Sequence, residues 1–454
     1  MSHKITLLPD GKGLAAGGYD GSTSLISAEQ YDPTSGVWTL TGSMHTARQN
    51  HTATLLASGK VLVAGGMMGA DYLSSAELYD PATQSWSLTG SMNVPRTNHT
   101  ATLLQSGKVL VVGGRTTGMA VLKSAEIYDP ETGIWTITGI PNEFRSDHTA
   151  TLLPSGKVLV AGGYYTGFLK GVEIYDPDTG NWIVAPSMSV ARRWHTATLL
   201  PNDRVLIAGG SSGAGFIKSA EQFDEGANSW YQADNMTTEH SGHTAVLLPS
   251  GFVLIAGGND TSGGYENMAE VFITGTDQGG EWARVTWMNT GRVNAAATLL
   301  LSGKVLVAGG DDGSDAITNA EFFDQGLGFE DNWQPVISAV SASLNPGGRF
   351  QIFGSGFRGY GKGEASGGHN YNSPTNVPLV QIHWEDNDQF NWLQPDVNAY
   401  FSDSSFTSIP SEGLPAGPAF VTVFVNGIPS LSRFIQAGQP DLPMIYLPMI
   451  LKNP

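Results

Sequence analysis

The chain has 454 residues, of which 40% are apolar and only 14% are charged, and its formal net charge is −18. This charge excludes partners that need an extended basic face, so we expect neither nucleic acid nor an anionic membrane surface as a ligand. The absence of cysteine excludes disulfides, thiolate metal sites and cysteine nucleophiles. No apolar run reaches the roughly 18 residues that a membrane-spanning helix needs, and we expect no membrane insertion.

A repeated segment of the type HTATLLPSGKVLVAGG organises the chain from its N-terminus, returning about every 48 residues. A period of this length is typical of propellers and solenoids. A pair of glycines marks each of the seven copies. These pairs are Gly17–Gly18, Gly65–Gly66, Gly113–Gly114, Gly162–Gly163, Gly209–Gly210, Gly257–Gly258 and Gly309–Gly310.

Each repeat predicts four short strands, which we describe for the second copy. HTATLL, beginning at His51, alternates with the period of two that a strand requires. KVLVA is a continuous apolar run that the glycine pair ends, as expected for a strand buried on both faces. SAELYDP, from Ser75 to Pro81, ends in a turn because proline cannot continue a ladder. The fourth strand opens at Trp86 and runs to Met92.

The same order of features recurs in every copy and resembles the Kelch motif. The resemblance implies a seven-bladed β-propeller over residues 1–335, with the HTATLL-type strand innermost. Kelch rings are usually closed by a blade that mixes strands from both chain ends, whereas every blade of this sequence reads as contiguous from its first to its fourth strand. The tryptophans that open the fourth strands are Trp38, Trp86, Trp135, Trp182, Trp230, Trp282 and Trp333.

After Trp333 the period ends and a second domain is predicted over residues 336–438. The segment from Pro335 to Phe357 alternates around a P-G-G turn and resembles the opening of an immunoglobulin-like E-set domain. The predicted fold is therefore all-β, a seven-bladed Kelch-type β-propeller followed by an immunoglobulin-like β-sandwich. In the tail, residues 439–454, the apolar run from Met444 to Leu451 fits a last strand packed on this domain, with an export or sorting tail as the alternative.

Two residue types recur just before or at the start of the innermost strands, near the predicted mouth of the channel. Imidazoles there suit metal binding or base chemistry, and guanidiniums suit an anionic ligand. Repetition in nearly every blade favours a packing role for both sets. The histidines are His3, His51, His99, His148, His195 and His243, with Ala295 in the seventh copy. The arginines are Arg48, Arg96, Arg145, Arg192 and Arg292, with His240 replacing one member.

The loops between the second and third strands lie at the same end of the blades and differ strongly between copies. Variable loops on a rigid scaffold are where binding residues are expected. Asp311, Asp312 and Asp315 offer oxygen ligands to calcium, although a solvated turn explains this spacing as well. The aromatic residues expected to stack on sugars or contact a protein partner are Tyr19, Tyr72, Tyr164, Tyr165, Phe168 and Tyr265.

The second domain resembles the C-terminal domain of galactose oxidase and related Kelch-type radical-copper oxidases, through GGHNYNSPTNVPLVQI (Gly367 to Ile382) and GLPAGPAFVTVFVNGIPS. The resemblance implies that His369 reaches into the propeller channel and ligates copper, with His195 as a further ligand. The family also uses a tyrosine directly before a ring histidine and a tyrosine cross-linked to cysteine. The corresponding positions here are Asn50, Asn98, Asp147, Trp194 and Gly242, and the chain has no cysteine.

These departures favour a non-catalytic binding or adhesion protein over an enzyme. We expect its variable loops to bind a carbohydrate or a protein, with no cofactor. The alternative is a diverged copper oxidase that acts on alcohols or aldehydes. The N-terminal MSHKITLL lacks the charged and apolar regions of a signal peptide, so an extracellular or cell-surface location would require a mature or truncated form.

Overall fold

The structure is a computed structural model that describes residues 4–200, 202–248, 251–261, 264–273, 279–285, 288–300 and 304–324. Beyond residue 335 it describes only strands and short segments between 336 and 437. Among these residues the fold is all-β, and the one helical element is a single 3₁₀ turn, Thr117–Met119. No helix in the described ranges is long and apolar enough to cross a membrane.

Seven consecutive antiparallel sheets confirm the predicted propeller. From the inner to the outer strand, blade 1 comprises Lys4–Leu7, Gly13–Ala16, Ala28–Asp32 and Val37–Leu40. Blade 2 comprises Thr52–Leu55, Val61–Ala64, Ala76–Asp80 and Ser85–Thr89. Blade 3 comprises Thr100–Leu103, Val109–Val112, Ala125–Asp129 and Ile134–Ile137. Blade 4 comprises Thr149–Leu152, Val158–Ala161, Val172–Asp176 and Asn181–Ala185.

The remaining blades follow the same order. Blade 5 comprises Thr196–Leu199, Arg204–Ala208, Ala220–Asp224 and Ser229–Gln232. Blade 6 comprises Thr244–Leu247, Val253–Ala256, Ala269–Ile273 and Glu281–Arg284. Blade 7 has three described strands, Ala296–Leu299, Val305–Ala308 and Ala320–Phe323. Short two-stranded ribbons are Met67–Met68 with Asp71–Tyr72, Arg115–Thr116 with Ala120–Val121, and Ser211–Ser212 with Gly215–Phe216.

The core lies between the blades, because each second strand is apolar on both faces. In blade 3, Leu110 and Val112 pack in one cluster with Leu152 and Val158 of blade 4, and all four side chains are at most 2% exposed. Burying such side chains stabilises the fold by about 1.5–3 kcal/mol each. The ring therefore holds together through repeated blade-to-blade contacts.

The aromatic residues that recur in each repeat join neighbouring blades. Tyr175 and Trp182 of blade 4 lie with their ring centroids 5.0 Å apart. The Trp182 indole N–H donates to the Gly139 carbonyl of the preceding connection, and the Tyr175 hydroxyl lies 2.6 Å from the Thr138 hydroxyl. Both polar tips thus find a partner outside their own blade, as buried Tyr and Trp require.

The glycine pairs let the connection to the next blade approach closely. Gly65 has a φ of 65°, and a Cβ atom there would lie 2.5 Å from the Arg96 carbonyl oxygen and 2.8 Å from Cε1 of His99. Gly66 has a φ of 91°, and a Cβ atom there would lie 2.5 Å from the Gln49 carbonyl oxygen. Only glycine adopts a positive φ at low cost and also lacks the Cβ atom for which there is no space.

The ring closes by packing of the first blade on the seventh. Ile5 and Tyr31 of blade 1 belong to one buried cluster with Ala296 and Leu306 of blade 7. Tyr31 also contacts Phe322, with ring centroids 5.7 Å apart. Among the described strands, blade 7 takes none from the N-terminus, so side-chain packing closes the ring.

Residues after 335 form two further antiparallel sheets. One contains Val336–Ala342, Phe350–Ser355 and Ser405–Thr407. The other contains Phe390–Leu393, Leu379–Trp384, Gly417–Val425, Ile428–Pro429 and Arg433–Ala437. Buried side chains from both sheets, including Ile352 and Val421, contribute to one hydrophobic cluster. The apolar tail, residues 439–454, lies outside the described residues.

Two short segments of this C-terminal part return to the propeller channel. Ala365–Gly367 pairs antiparallel with the inner strand of blade 5, where Gly367 is opposite Thr196. Asn372–Ser373 pairs parallel with the inner strand of blade 2. The C-terminal part therefore contributes strands to two blades at their channel edge. His369 lies between these segments in sequence, outside the described residues.

Candidate binding site on the upper face

We call upper face the end of the propeller where the inner strands begin and the second strands end. The two meet there because they pair antiparallel, with Thr52 opposite Ala64 in blade 2. The upper face therefore carries the connections between blades and the variable loops after the glycine pairs. All the predicted site residues that the structure describes belong to this end of the molecule.

The repeated arginines are buried inside the blades. Arg48 is fully buried, donates through Nη1 to the Gly65 carbonyl, and contacts the Glu77 carboxylate through Nη2 at 2.8 Å. Burial lowers the pKa of Arg48, and the hydrogen bond and charge of Glu77 oppose that shift. The other members repeat this arrangement. The pairs are Arg96 with Glu126, Arg145 with Glu173, Arg192 with Glu221, and Arg292 with Glu321.

These contacts support the packing role that repetition favours for the arginines, and they correct the alternative in which Arg48, Arg96, Arg145, Arg192 and Arg292 form a cationic mouth for an anionic ligand. Each is at most 1% exposed. Each guanidinium is neutralised by its glutamate and bonded to backbone carbonyls of its own blade. The physical reason is that a buried charge must be paired, and the glutamate of the third strand provides that pair.

The histidines form a second repeated network, between neighbouring blades. Nε2 of His148 lies 3.0 Å from the Thr100 hydroxyl, and Nε2 of His195 lies 3.0 Å from the Thr149 hydroxyl. Burial lowers the pKa of His148 and His195 well below the usual value, with the charges of Arg145 and Arg192, respectively, adding to the effect. The neutral imidazoles thus join one blade to the next. His3 lies outside the described residues.

A ring of backbone hydrogen bonds surrounds the channel mouth just above the histidines. The amide of Asp147 donates to the Asn98 carbonyl, the amide of Trp194 to the Asp147 carbonyl, and the amide of Gly242 to the Trp194 carbonyl. Every member has a positive φ, between 52° and 67°. The full series is Asn50, Asn98, Asp147, Trp194, Gly242 and Asn294.

The structure brings three of the predicted aromatic residues together. Tyr164, Tyr165 and Phe168 share the variable loop of blade 4, where Tyr164 and Phe168 meet edge to face at 5.5 Å. Tyr165 is 43% exposed and stacks on Phe144, with ring centroids 4.9 Å apart. The others lie on separate blades, Tyr19 on blade 1, Tyr72 on blade 2 and Tyr265 on blade 6.

Two residues that the sequence interpretation did not select complete this cluster. The Arg193 guanidinium lies over three rings, with Cζ 3.7 Å from the Trp194 centroid, 4.6 Å from Tyr164 and 5.2 Å from Phe168. Such cation–π contacts are worth about 0.5–2 kcal/mol each. We call Arg193, Trp194, Tyr164 and Phe168 the aromatic–arginine cluster.

A hydrogen-bonded group from blade 3 borders the cluster. Arg115 donates through Nη2 to Asp147 at 3.2 Å and through Nε to the Ser146 hydroxyl. Asp147 also accepts from Asn98 and from Ser146. The Asp147 carboxylate is therefore satisfied by its own neighbours. Side chains of blades 3 and 4 and the connection into blade 5 thus form one continuous surface.

The sequence signal for Arg193 and Trp194 is that both residues depart from the repeat at their positions. The position of Arg193 holds Gln49, Thr97, Ser146, Ser241 and Val293 in the other described copies. In the same described copies, the position of Trp194 holds only asparagine, aspartate or glycine, the residues that tolerate a positive φ. A tryptophan with a φ of 55° is therefore a strained exception within a regular repeat.

The described residues contain no group of three histidine, aspartate or glutamate side chains placed to hold a metal ion. Asp311 and Asp312 accept hydrogen bonds from the backbone amides of their own turn, including that of Asp315. This is the geometry of a self-contained turn.

The described residues do not reproduce the set of copper donors that the galactose oxidase resemblance implies. Nε2 of His195 contacts Thr149, and the ring before it is Trp194 rather than tyrosine. No cysteine exists for a cross-linked cofactor. His369 lies outside the described residues, so its predicted role stays a prediction.

Comparison with known proteins agrees with the fold. A model of the KLHDC2/KLHL20/DRC7 Kelch-repeats domain matches residues 2–210 and, in a second alignment, residues 98–310. The two matches together cover more than half of the chain and confirm the Kelch repeats predicted from sequence. No curated protein matches the sequence.

Solved structures include similar folds at low identity. A fungal alcohol oxidase, described as novel, with catalytic diversity among the AA5 family and in complex with copper, is 16% identical with a TM-score of 0.60. The match covers 96% of each chain. The structure of YjhT is 15% identical with a TM-score of 0.49, covering 61% of this chain and 95% of that one. At this identity, the similarity between the oxidase and this chain shows a shared fold and nothing more.

Proposed function

Because the chain belongs to the KLHDC2/KLHL20/DRC7 Kelch-repeats domain family, we propose that it is a protein-interaction module that binds its partner through the upper face. The repeated arginines and histidines of the scaffold are buried, and each of the arginines is paired with a glutamate of its own blade. The side chains that depart from the repeat are gathered on the upper face, in the loops and connections of blades 3 to 5. This separation is the observation that supports the proposal.

The composition of this surface is that of an interaction site. Tyrosine, tryptophan and arginine are enriched among the residues that contribute most to protein–protein binding. Tyr165 and Phe144 are exposed by 43% and 40% and stack on one another, which presents an ordered apolar patch. Arg193 and Trp194 add a charged and a flat polarisable surface beside it.

A peptide-display selection against the full chain tests this proposal. We expect enriched peptides to bind the wild type and to lose about tenfold or more in affinity for a Tyr164→Ala, Phe168→Ala double variant. Tyr231→Ala, on the outer strand of blade 5, is the matched control and is expected to bind like the wild type. Equal binding by all three proteins would contradict an upper-face site.

The proposal extends to the environment and the second domain. The low charged fraction and the hydroxyl-rich loops suit an extracellular or cell-surface protein, and carbohydrate is the alternative ligand class that exposed tyrosines accommodate. We propose that the two C-terminal sheets form an immunoglobulin-like sandwich that braces the propeller. Secretion of a tagged full-length gene product in its native host tests the location, and a glycan array tests the alternative ligand.

We propose no oxidase activity for this chain. The similarity to a copper-containing oxidase concerns the fold, and the donor residues described above do not reproduce a copper site.

A further inference from the structure

We propose that His240 and Glu270 form a proton-dependent latch in blade 6. The pair holds the connection from blade 5 into blade 6 in place while the imidazole is doubly protonated, and it releases that connection when the imidazole loses a proton. In five of the six described copies of this connection, an arginine with a permanent charge pairs with the glutamate instead. The latch belongs to the scaffold, and its action does not depend on the proposed function.

His240 makes the same two contacts as the arginine that it replaces. In blade 2, Arg48 donates through Nη1 to the carbonyl of the first glycine of the pair, 17 residues further along the chain, and through Nη2 to Glu77. In blade 6, Nδ1 of His240 lies 2.7 Å from the Gly257 carbonyl oxygen, also 17 residues further along, and Nε2 lies 3.2 Å from Glu270. Both ring nitrogens therefore face oxygen atoms, as both guanidinium donors do.

This geometry requires the imidazolium form of His240. A carbonyl and a carboxylate only accept hydrogen bonds, and a neutral imidazole has a single N–H to donate. The neutral ring can donate to Gly257 and accept from the Thr238 hydroxyl, which lies 3.0 Å from Nε2, but it then has no proton for Glu270. The closed latch is therefore the state in which His240 carries both protons.

Glu270 is an ionised carboxylate at this site. Burial would raise its pKa, but hydrogen bonds from the His240 ring and from the amide and hydroxyl of Thr237 lower the pKa to about 2. The side chains of His240 and Glu270 are both completely buried. A carboxylate in such a position needs a cation beside it, which the imidazolium supplies.

The surroundings of His240 are rebuilt to suit an imidazole. In blades 2, 3 and 5, Nη2 of the arginine also contacts a serine hydroxyl just before the third strand, such as Ser219 in blade 5. Met268 holds the corresponding position in blade 6 and offers no hydroxyl. The hydroxyl near Nε2 comes instead from Thr238, at the position that Val190 holds in blade 5. Three positions thus change together, which favours a dedicated site over the simple loss of an arginine.

Two titratable neighbours affect His240 through charge. The ring centroid of His243 lies 5.9 Å from that of His240, and burial, followed by the charge of His240, lowers the pKa of His243 well below its usual value. In the variable loop, burial and the Asp260 carboxyl raise the pKa of Glu266, and the charge of His240 opposes this shift. Glu270 is the carboxylate in hydrogen-bond contact with the ring.

Two arginines near the latch have other partners. Nε of Arg284, on the fourth strand, donates to the Thr237 hydroxyl. Arg292, in the next connection, pairs with Glu321. Neither arginine is paired with Glu270 in the described part of the chain, so loss of the imidazolium leaves a buried carboxylate without a cation.

The latch acts on the connection from blade 5 into blade 6. Glu270 accepts from the backbone amides of Thr237 and Thr238 in that connection. The amide of Gly242, two residues beyond His240, donates to a carbonyl of the channel-mouth ring. The closed latch binds one proton that the open latch releases, so opening becomes easier as the pH rises through the range in which imidazole titrates.

Hydrogen–deuterium exchange of the full chain at pH 6.5 and 8.5 tests this latch. Protection, corrected for the intrinsic exchange rate, is compared between residues 236–243 and 269–273 of blade 6 and the equivalent residues 188–195 and 220–224 of blade 5. The variants are His240→Arg, His240→Gln and His45→Gln. His45 is the matched control, because it also contacts the buried glutamate of its blade, Glu77, but there Arg48 supplies the permanent cation.

In the wild type we expect the protection of blade 6 to fall about tenfold between these pH values, because one proton changes an opening equilibrium by up to tenfold per pH unit. Blade 5 should show no such fall. His240→Arg should keep blade 6 protected at both pH values, whereas His240→Gln should leave it weakly protected at both. His45→Gln should behave like the wild type.

A wild-type blade 6 without this fall, or an undiminished fall in His240→Arg, would overturn the proposal. Nitrogen-15 NMR of the histidine-labelled wild type gives a reading that needs no variant to be stable in the open state. At pH 6.5 the His240 ring, identified by the signals that His240→Arg lacks, should show two protonated nitrogens. A neutral tautomer at this pH would also overturn the proposal.

Discussion

Arg192 and Arg193 are neighbours in the chain, yet they belong to two different regions of the molecule. Arg192 is fully buried and paired with Glu221, as its counterparts are in other blades. Arg193 lies among aromatic rings on the upper face, with no carboxylate paired to it among the described residues. In a repeat protein, the residues that recur maintain the scaffold, whereas those that depart from the repeat are free to bind.

The largest effect should separate these two arginines directly. Arg192→Ala leaves the Glu221 carboxylate buried without its cation, so we expect the free energy of unfolding to fall by about 3–5 kcal/mol. Arg193→Ala removes stacking contacts of a partly buried side chain that has no paired carboxylate among the described residues, and it should cost about 1 kcal/mol or less. Urea denaturation of both variants measures the difference. Comparable losses would mean that the two arginines share one structural role.

The buried histidines should make the scaffold sensitive to mild acid. The pKa values of His148, His195 and His243 are lowered well below 6.5 by burial. The unfolded chain therefore binds more protons below pH 6.5, and stability is lost as the pH falls through that value. Each histidine contributes up to about 1.4 kcal/mol per pH unit.

Urea denaturation at pH 7.5, 6.5 and 5.5 measures this slope. His195→Asn removes one of the titrating groups, so the variant should lose less stability between pH 6.5 and 5.5 than the wild type does. A slope that is the same in both proteins would show that this imidazole does not carry the effect.

Substitution of Trp194 should show how much stability the protein loses by having the binding surface. Trp194→Asn places at this position the residue found at Asn50, Asn98 and Asn294, which adopts a positive φ more readily. We expect stability to rise by about 1 kcal/mol while peptide binding weakens. Thermal unfolding and the affinity for the display-selected peptides together check this. A less stable variant would show that the indole contributes more through packing than it costs in strain.

The smallest effect is expected at the exposed edge of the cluster. Tyr165→Ala removes a ring that is 43% exposed and stacks on Phe144, so the stability change should stay below about 1 kcal/mol. Tyr175→Ala, in the scaffold, removes a fully buried ring and should cost about 3–5 kcal/mol. A similar cost for both would remove the distinction between loop and scaffold aromatics.

Much of the scaffold follows from local rules that a sequence displays. The alternating HTATLL strand, the apolar run ended by Gly65 and Gly66, and the recurring tryptophan together specify a blade and its repetition. The ring of histidines and arginines was placed correctly at the start of the inner strands. Repetition also favoured a packing role for this ring, but the partners of the arginines were not predicted, because they are glutamates of the third strand such as Glu77, 29 residues after Arg48.

The sequence by itself determined the all-β class, the seven repeats and the absence of a complete radical-copper donor set, because these depend on residue type and spacing. Only the tertiary structure decided which side chains face a partner. Tyr164 lies in the loop of blade 4, and Arg193 lies in the connection into blade 5. Packing of the two blades brings Cζ of Arg193 to 4.6 Å from the centroid of the Tyr164 ring. The same connection buries Arg192 beside Glu221 within blade 5 and places Arg193, one residue later, among the rings of the upper face.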